Sequence, residues 1–325
     1  MIRKLQILLL VLLLILINGC SMENKSIEHS FFCMGTIFRI ELNEDNPKLL
    51  IKCENIAKEL SSKLNIFDST SIINQINSNE IIHLEKTTYN IIKESLRWWE
   101  ISDGYFDPTV APLTLLWDFK SDNPTPPSKE EIDSILFFIG ADKITITDTI
   151  IQKPMEVKLD LGGIAKGYAV DILYDTLRNY SDSQFLIDAG CNIKVYGRDY
   201  RIGIKNPLNK ESILATIILP SSYACATSGS YENYFIHKDK IYHHILNPKT
   251  GYPIQDSILS VTIISPSGTD SDCASTSAFA MGSEYGAKLL DRLPDLEYII
   301  IYLDKEGKIA YLKSDNIKGF KEVCR

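Results

Sequence analysis

The sequence predicts an α+β fold in one compact domain, and two observations carry that prediction. Strand-like runs cluster in the second half instead of alternating with helices, which disfavours a doubly wound parallel sheet. From Phe31 onward there is also no repeat, no low-complexity tract and no long Pro/Gly/Ser linker, so a single unit over residues 29–322 is expected, with mixed or antiparallel sheets and packed helices. In chain order, Thr36–Leu42 alternates as a strand. Pro47–Leu64 repeats apolar residues at helical spacing behind a proline suited to a first turn. Helical spacing recurs over Tyr89–Ile101, and Ser128 caps a helix predicted to Phe138. Strands are predicted over Lys143–Ile151 and Pro154–Leu161, followed by a helix over Ile164–Tyr180. Further strand-like runs are Phe185–Ile187, Ile193–Tyr196, Tyr200–Ile204, Ala215–Leu219, Tyr234–Ile236, Ile258–Ile264 and Tyr298–Leu303. One helix is predicted over Asp272–Leu290.

The first residues read as an export signal. Met1-Ile2-Arg3-Lys4 is basic, and the apolar run from Ile7 to Ile17 is shorter than the ~20 residues a membrane-spanning helix needs. Asn18-Gly19-Cys20 resembles a bacterial lipobox, which implies a signal peptide over 1–19, a lipid on Cys20 and a polar tether over 20–28. A cleaved secretory signal and an uncleaved anchor are the alternatives, and all three place the domain outside the cytoplasm. The expected location is a cell membrane lipoprotein facing the periplasm or the cell exterior.

A net charge of −8, spread along the chain, argues against nucleic acid as a partner. Cys33, Cys53, Cys191, Cys225, Cys273 and Cys324 show no C-x-x-C pairing or regular spacing, so they are expected as small buried hydrophobes and not as a zinc site or disulfide frame.

Three stretches carry chemistry. Leu159-Asp160-Leu161-Gly162-Gly163-Ile164-Ala165-Lys166-Gly167 brings a carboxylate, a glycine pair and a lysine into a helix entry, where free N–H groups suit a phosphate-bearing ligand. A plain glycine turn with a solvated lysine explains the same residues. Asp272, Ser275 and Thr276 share one helix face at i, i+3 and i+4; such hard oxygens suit magnesium, while helix capping by Thr269, Asp270, Ser271 and Asp272 is the plainer account of a polar start. His243-His244 precede the breaker-rich turn Asn247-Pro248-Lys249-Thr250-Gly251.

These stretches fall in a fixed order with Met34-Gly35-Thr36, with the run from Asp103-Gly104-Tyr105-Phe106-Asp107-Pro108 to Leu113, with Ala226-Thr227-Ser228-Gly229, and with Met281-Gly282. The order resembles the FAD:protein FMN transferases, or ApbE-type flavin transferases, over most of the mature chain. The resemblance implies an Mg²⁺-dependent enzyme that cleaves FAD, attaches FMN to a threonine of a target protein through a phosphoester and releases AMP. It places metal ligands at Asp272, Ser275, Thr276 and the Gly163 carbonyl. It places FAD contacts at Met34, Phe67, Tyr105, Phe106, Asp107, Asp160, Lys166 and Ile245, with Lys166 near the pyrophosphate and His244 in the active site. His244 is the expected proton acceptor, and Asp272 and Lys166 complete the catalytic group. The implied partners are flavin-acceptor subunits of Rnf-type or sodium-translocating NADH:quinone reductase complexes. Three positions depart from the family pattern. Cys191 stands in a loop that is often Gly-Gly-Asn, so the loop either tolerates a side chain or has lost a close backbone approach; Phe67 stands where tyrosine is common, and Asn247 where aspartate is. Two other functions use the same residues: an FAD pyrophosphatase giving free FMN and AMP, and a non-catalytic FAD-binding lipoprotein.

Overall fold

The computed structural model describes residues 26–323, so the readings of a signal peptide, of a lipid on Cys20 and of most of the tether lie outside the described residues. Strand β1 (Ile27–Cys33) begins two residues inside the stretch read as tether, because Ile27 pairs with Leu42 of β2 (Thr36–Leu42). Helices α1 (Pro47–Leu64), α2 (Ile72–Asn77) and α3 (Lys86–Ile101) follow, with β3 (Ile81–His83) before α3. Next come α4 (Ala111–Trp117), α5 (Lys129–Leu136), β4 (Thr145–Thr147), β5 (Ile150–Gln152) and α6 (Ala165–Tyr180). Five strands run on from there: β6 (Phe185–Asp188), β7 (Asn192–Tyr196), β8 (Tyr200–Asn206), β9 (Asn209–Leu219) and β10 (Ala224–Gly229). The chain finishes with β11 (Tyr234–His237), β12 (Lys240–His243), β13 (Ile258–Ser265), α7 (Gly268–Met281), α8 (Ser283–Leu290), β14 (Glu297–Leu303), β15 (Ile309–Lys313) and β16 (Lys321–Glu322).

An eight-stranded antiparallel sheet in the order β1-β2-β6-β7-β10-β13-β14-β15 forms the middle layer. Its two faces can be read along the central strands. Val261, Ile263 and Ile300 point into the main core with α1, α3, α6 and α7, whereas Ile264, Ile299 and Ile301 point into a second core under the β16-β9-β8 sheet. This period-two division between two apolar layers is why β13 and β14 read as nearly continuous hydrophobic runs. At the β1–β2 edge Phe38, Ile40 and Leu42 are buried in the main core, while Phe32 and Ile37 on the other face are exposed. A third, smaller cluster joins Leu113 and Trp117 of α4 to Ile132 of α5, with Phe235 and Tyr242 from the β11–β12 hairpin stacking beside Trp117. No helix among the described residues is long and apolar enough to cross a membrane.

The architecture is the α+β arrangement expected, with three local differences. Lys143–Ile151 is not one strand but the hairpin β4–β5, turned at Asp148 with φ 54°. Pro154–Leu161 has the alternating burial of a strand without its ladder. Val157, Leu159 and Leu161 are buried, and the side-chain amide of Asn77 satisfies Leu159 in place of a neighbouring strand, accepting from Leu159 N at 2.7 Å and donating to its carbonyl at 2.9 Å. The helix expected over Asp272–Leu290 starts earlier, at Gly268, and is two helices, broken at Gly282 (φ +85°), whose conformation side chains other than glycine rarely adopt. Cys33, Cys53, Cys225 and Cys273 are buried as expected; Cys191 is only half-buried, and Cys324 lies outside the described residues.

Candidate active site

The loops at one end of the middle sheet meet the start of α6 and one face of α7, and most of the sequence-predicted residues gather there. The Asp160 carboxylate accepts from Gly162 N and from the Thr114 hydroxyl, each at 2.8 Å, which shapes the glycine turn and ties it to α4. Gly163 then passes so close to α7 that a Cβ there would lie 3.1 Å from the Phe106 ring and 3.3 Å from Thr276 Cγ2. One turn further, Gly167 and Gly268 let α6 and α7 touch backbone to backbone: a Cβ on Gly167 would fall 2.2 Å from the Gly268 carbonyl oxygen.

The crossing is locked by two carboxylates. Asp171 of α6 caps α7, accepting from Gly268 N and Thr269 N at 2.8 Å and from the Thr269 hydroxyl at 2.7 Å, and it pairs with the buried Lys194 ammonium at 2.6 Å. In the other direction Gly167 N donates to Asp272 Oδ2 at 2.8 Å. Asp272 is 4 % exposed, and burial pushes its carboxyl above the ordinary value; the Lys166 charge and the Gly167 N–H oppose that rise. Ser275 and Thr276 sit on the same face, both within reach of Ser228 Oγ at the end of β10, at 2.9 and 3.4 Å. Capping of α7 falls to Ser267 and Asp171, which leaves Asp272, Ser275 and Thr276 free of that task.

This donor set fits a magnesium-like ion. It offers one buried carboxylate with no salt-bridge partner in the structure, two hydroxyls, and a glycine that brings its backbone up to Thr276. No group of three or more His, Cys, Asp or Glu side chains among the described residues is arranged to hold a metal, so a cation here would add to the single Asp272 carboxylate only neutral oxygens and phosphate.

His244 follows β12 and faces the same cleft. Its Nδ1 lies 3.1 Å from the Asn233 carbonyl oxygen, which can only accept; the proton therefore sits on Nδ1 and Nε2 carries the free lone pair. The ring is exposed at the cleft edge, yet crowding by protein lowers its pKa to about 4, with the Lys166 charge acting in the same direction. His243 points the other way. It is buried edge-on against Phe279 with Nε2 3.1 Å from the Ile254 carbonyl, a packing role. Ile245 is buried in the main core.

Met34 occupies the tight β1–β2 turn with φ 48°, and Thr36 beside it presses on Gly190, so the turn adjoins the Gly190-Cys191-Asn192 loop. Gly190 (φ +81°) is irreplaceable there, whereas Cys191 is accommodated with Sγ 3.7 Å from Glu232. The structure thus chooses between the two readings of this loop: it tolerates the side chain. Burial, reinforced by Glu232, pushes the Cys191 thiol up to about 11, so it is not a nucleophile at neutral pH.

The remaining predicted residues stand further out. Tyr105 lies under the Lys249 ammonium, 4.3 Å from the ring centre, and Lys249 bridges to Asp103 at 2.9 Å. Asp107 is buried with its carboxylate committed to Thr109, and it borders a cavity of ≈ 270 Å³ with Trp99, Gly140 and Lys249. Phe67 is 52 % exposed on a loop held by its own local hydrogen bonds, with Lys120 over its ring at 4.4 Å. Sequence reasoning gave no role to Ser228, Asp171, Gly167 or Gly268. The legible signal was the Gly167-to-Asp171 spacing, one helical turn apart inside a block already singled out.

Comparison with known proteins agrees with this geometry. The model of the ApbE family matches residues 34–300. The chain is 30 % identical over 289 residues to the FAD:protein FMN transferase of Vibrio cholerae, covering 84 % of this chain and 86 % of that one, and 26 % identical to that of Haemophilus influenzae, covering 88 % and 89 %. Among solved structures, the ApbE protein of Thermotoga maritima superposes with a TM-score of 0.82 at 33 % identity, over 90 % of this chain and 97 % of that one. The flavin transferase ApbE of Vibrio cholerae gives 0.80 at 26 % identity, over the same shares.

Proposed function

This chain belongs to the ApbE family, and from that premise we propose that it is an FAD:protein FMN transferase that works with Mg²⁺ on a threonine of an exported or membrane protein. The observation that carries the reading is the convergence of buried Asp272, the Ser275/Thr276 face, the Gly163 turn and Lys166 at one end of the sheet. Asp272, Ser275, Thr276 and the Gly163 carbonyl would hold the cation, which when bound offsets negative charge on the pyrophosphate. Lys166 acts as a fixed positive charge beside the same phosphates.

In this reading the acceptor hydroxyl oxygen attacks the phosphorus of the FMN half, and the bond from that phosphorus to the oxygen bridging the AMP phosphate breaks. AMP leaves with the electron pair, and the hydroxyl proton passes to Nε2 of His244. A neutral imidazole with its lone pair turned to the cleft suits that task. Met34, Tyr105, Phe106 and Asp160 would contact FAD, with Ile245 behind them in the main core, Asp107 buried beside Thr109, and Phe67 offering an exposed ring for stacking. The lipid on Cys20 would hold the enzyme on the outer side of a membrane beside acceptors such as the flavin-carrying subunits of Rnf-type or sodium-translocating NADH:quinone reductase complexes.

The test mixes the protein with FAD, Mg²⁺ and an acceptor domain, and follows AMP release together with the intact mass of the acceptor. AMP with an FMN-sized gain, both lost in EDTA, is the expected result. AMP with free FMN and an unchanged acceptor would make it an FAD pyrophosphatase, and FAD left intact would leave a binding role.

A further inference from the structure

Asn192 opens β7 beside the site, and its side chain is 2 % exposed. Its backbone has no freedom: its carbonyl accepts from Ala189 N at 2.8 Å and the residue is in register with Ala226 of β10. The side-chain amide turns its N–H toward the Asp272 carboxylate and, against the larger effect of burial, holds that carboxyl's pKa down. That acceptor fixes the orientation of the amide group, because a flipped Asn192 would set oxygen against oxygen. Oδ1 is then left buried without any hydrogen-bond partner. A buried carbonyl with no partner keeps the full cost of its lost solvation, so it is expected where a ligand from outside completes it.

The surroundings say which ligand. Oδ1 is a hard, neutral oxygen attached to the same side chain that touches Asp272, and the hydroxyl of Ser228 on neighbouring β10 reaches Ser275 and Thr276. Lys166 is close enough to act on the Asp272 charge, yet it forms no salt bridge in the structure. We propose that Asn192 Oδ1 is an oxygen ligand of the divalent cation, adding a neutral donor to a site that has a single carboxylate. The inference rests on the proposed metal-dependent transfer and adds to it a residue from the opposite wall, on the sheet instead of the helices.

The experiment measures Mn²⁺ binding to the purified full chain by the electron paramagnetic resonance signal of free Mn²⁺, with Mg²⁺ or Cd²⁺ as competitor and without FAD. The variants are Asn192→Leu, Asn192→Asp, Asn192→Cys and Asp272→Ala. Removing the oxygen in Asn192→Leu is expected to weaken Mn²⁺ binding tenfold or more, while Asn192→Asp, which keeps an oxygen there, binds within threefold of wild type or more tightly. Because a second carboxylate beside Asp272 draws in a cation whether or not residue 192 is a ligand, Asn192→Cys decides between the roles: a thiolate in a ligand position shifts the preference toward Cd²⁺ over Mn²⁺ tenfold or more, and an unchanged preference, or an unchanged Asn192→Leu, overturns the proposal. Melting curves in EDTA verify folding. Should Asn192→Leu not fold, the Cd²⁺-over-Mn²⁺ preference of Asn192→Cys against wild type decides by the same criterion. Loss of Mn²⁺ in Asp272→Ala with no change in any Asn192 variant refutes the Asn192 role alone, whereas a wild-type chain that binds no Mn²⁺ refutes the metal site and this ligand with it.

Discussion

In the proposed reaction two side chains carry the chemistry at the scale of single residues, and each has a pH signature. The pKa of His244 is lowered to about 4 by lost solvation and by Lys166, so the fold favours its neutral form. The associated stability is fully present above the ordinary histidine value and is lost as pH falls through about 4. Transfer rates should accordingly show no inflection near 6.5 from this residue, and His244→Gln should lower kcat by about 10²–10⁴-fold; a near-normal rate in that variant assigns the proton to another acceptor. Asp272 is the opposite case. Burial raises its pKa, so stability from this group is greatest below the ordinary carboxylate value and is lost as pH rises through the raised one. Asp272→Asn, whose amide oxygen can still accept from Gly167 N, should stabilise the cation-free protein at pH 7 by about 1–2 kcal/mol and should abolish the rise in Tm that Mg²⁺ produces. Thermal melts with and without Mg²⁺ check both halves.

Helices α6 and α7 form the site because they touch at glycines. Gly167→Ala would drive a methyl group into the Gly268 carbonyl and Asp272 Cβ, 2.2 and 2.6 Å from its ideal position, so the helices must part. We expect a loss of about 1–3 kcal/mol in denaturant unfolding together with weaker Mg²⁺ and FAD binding; unchanged ligand affinity would show that the seam tolerates separation. How much of this was legible in the sequence varies by element, for physical reasons. Helices α1, α3 and α6 declared themselves because each buries one face and wets the other. Helix α7 is buried nearly all round, so its apolar pattern has no phase, and its start and its break at Gly282 could not be read. Pro154–Leu161 imitated a strand because alternate side chains are buried, while its partners are an asparagine side chain and a single bridge to Val110 in place of a ladder, which periodicity does not reveal. The site followed the same rule. Asp272, Ser275 and Thr276 were visible as a helical face and Lys166 as a turn residue, but the bond from Asn192 to Asp272 joins positions that only the sheet order brings together.

On the scale of the whole molecule, the middle sheet separates chemistry from ballast. The residues assigned to the cation lie at its one end and on its helical face, while the second core beneath β8, β9 and β16 closes the other face with Ile317 and Phe320. Removing residues 315–325 strips that cover from Ile217 and Ile301 and should cost about 2–5 kcal/mol, with the Kd for FAD unchanged, as equilibrium unfolding and flavin fluorescence titration would show. A parallel loss of FAD affinity would mean that the two layers are coupled through the sheet.

The sheet order has one more consequence, and it concerns time. Strand β2 pairs with β6, whose first residue, Phe185, follows Leu42 only after the whole helical excursion has been made. At 5–20 residues per second, synthesis of that intervening chain takes on the order of ten seconds. Throughout that interval the β1–β2 hairpin, with Phe32 and Ile37 on one side and Phe38 and Ile40 on the other, has no neighbour to join. Until β6 arrives the hairpin therefore keeps an unpaired apolar edge, long before the flavin site exists, and that edge is open to pairing with another chain.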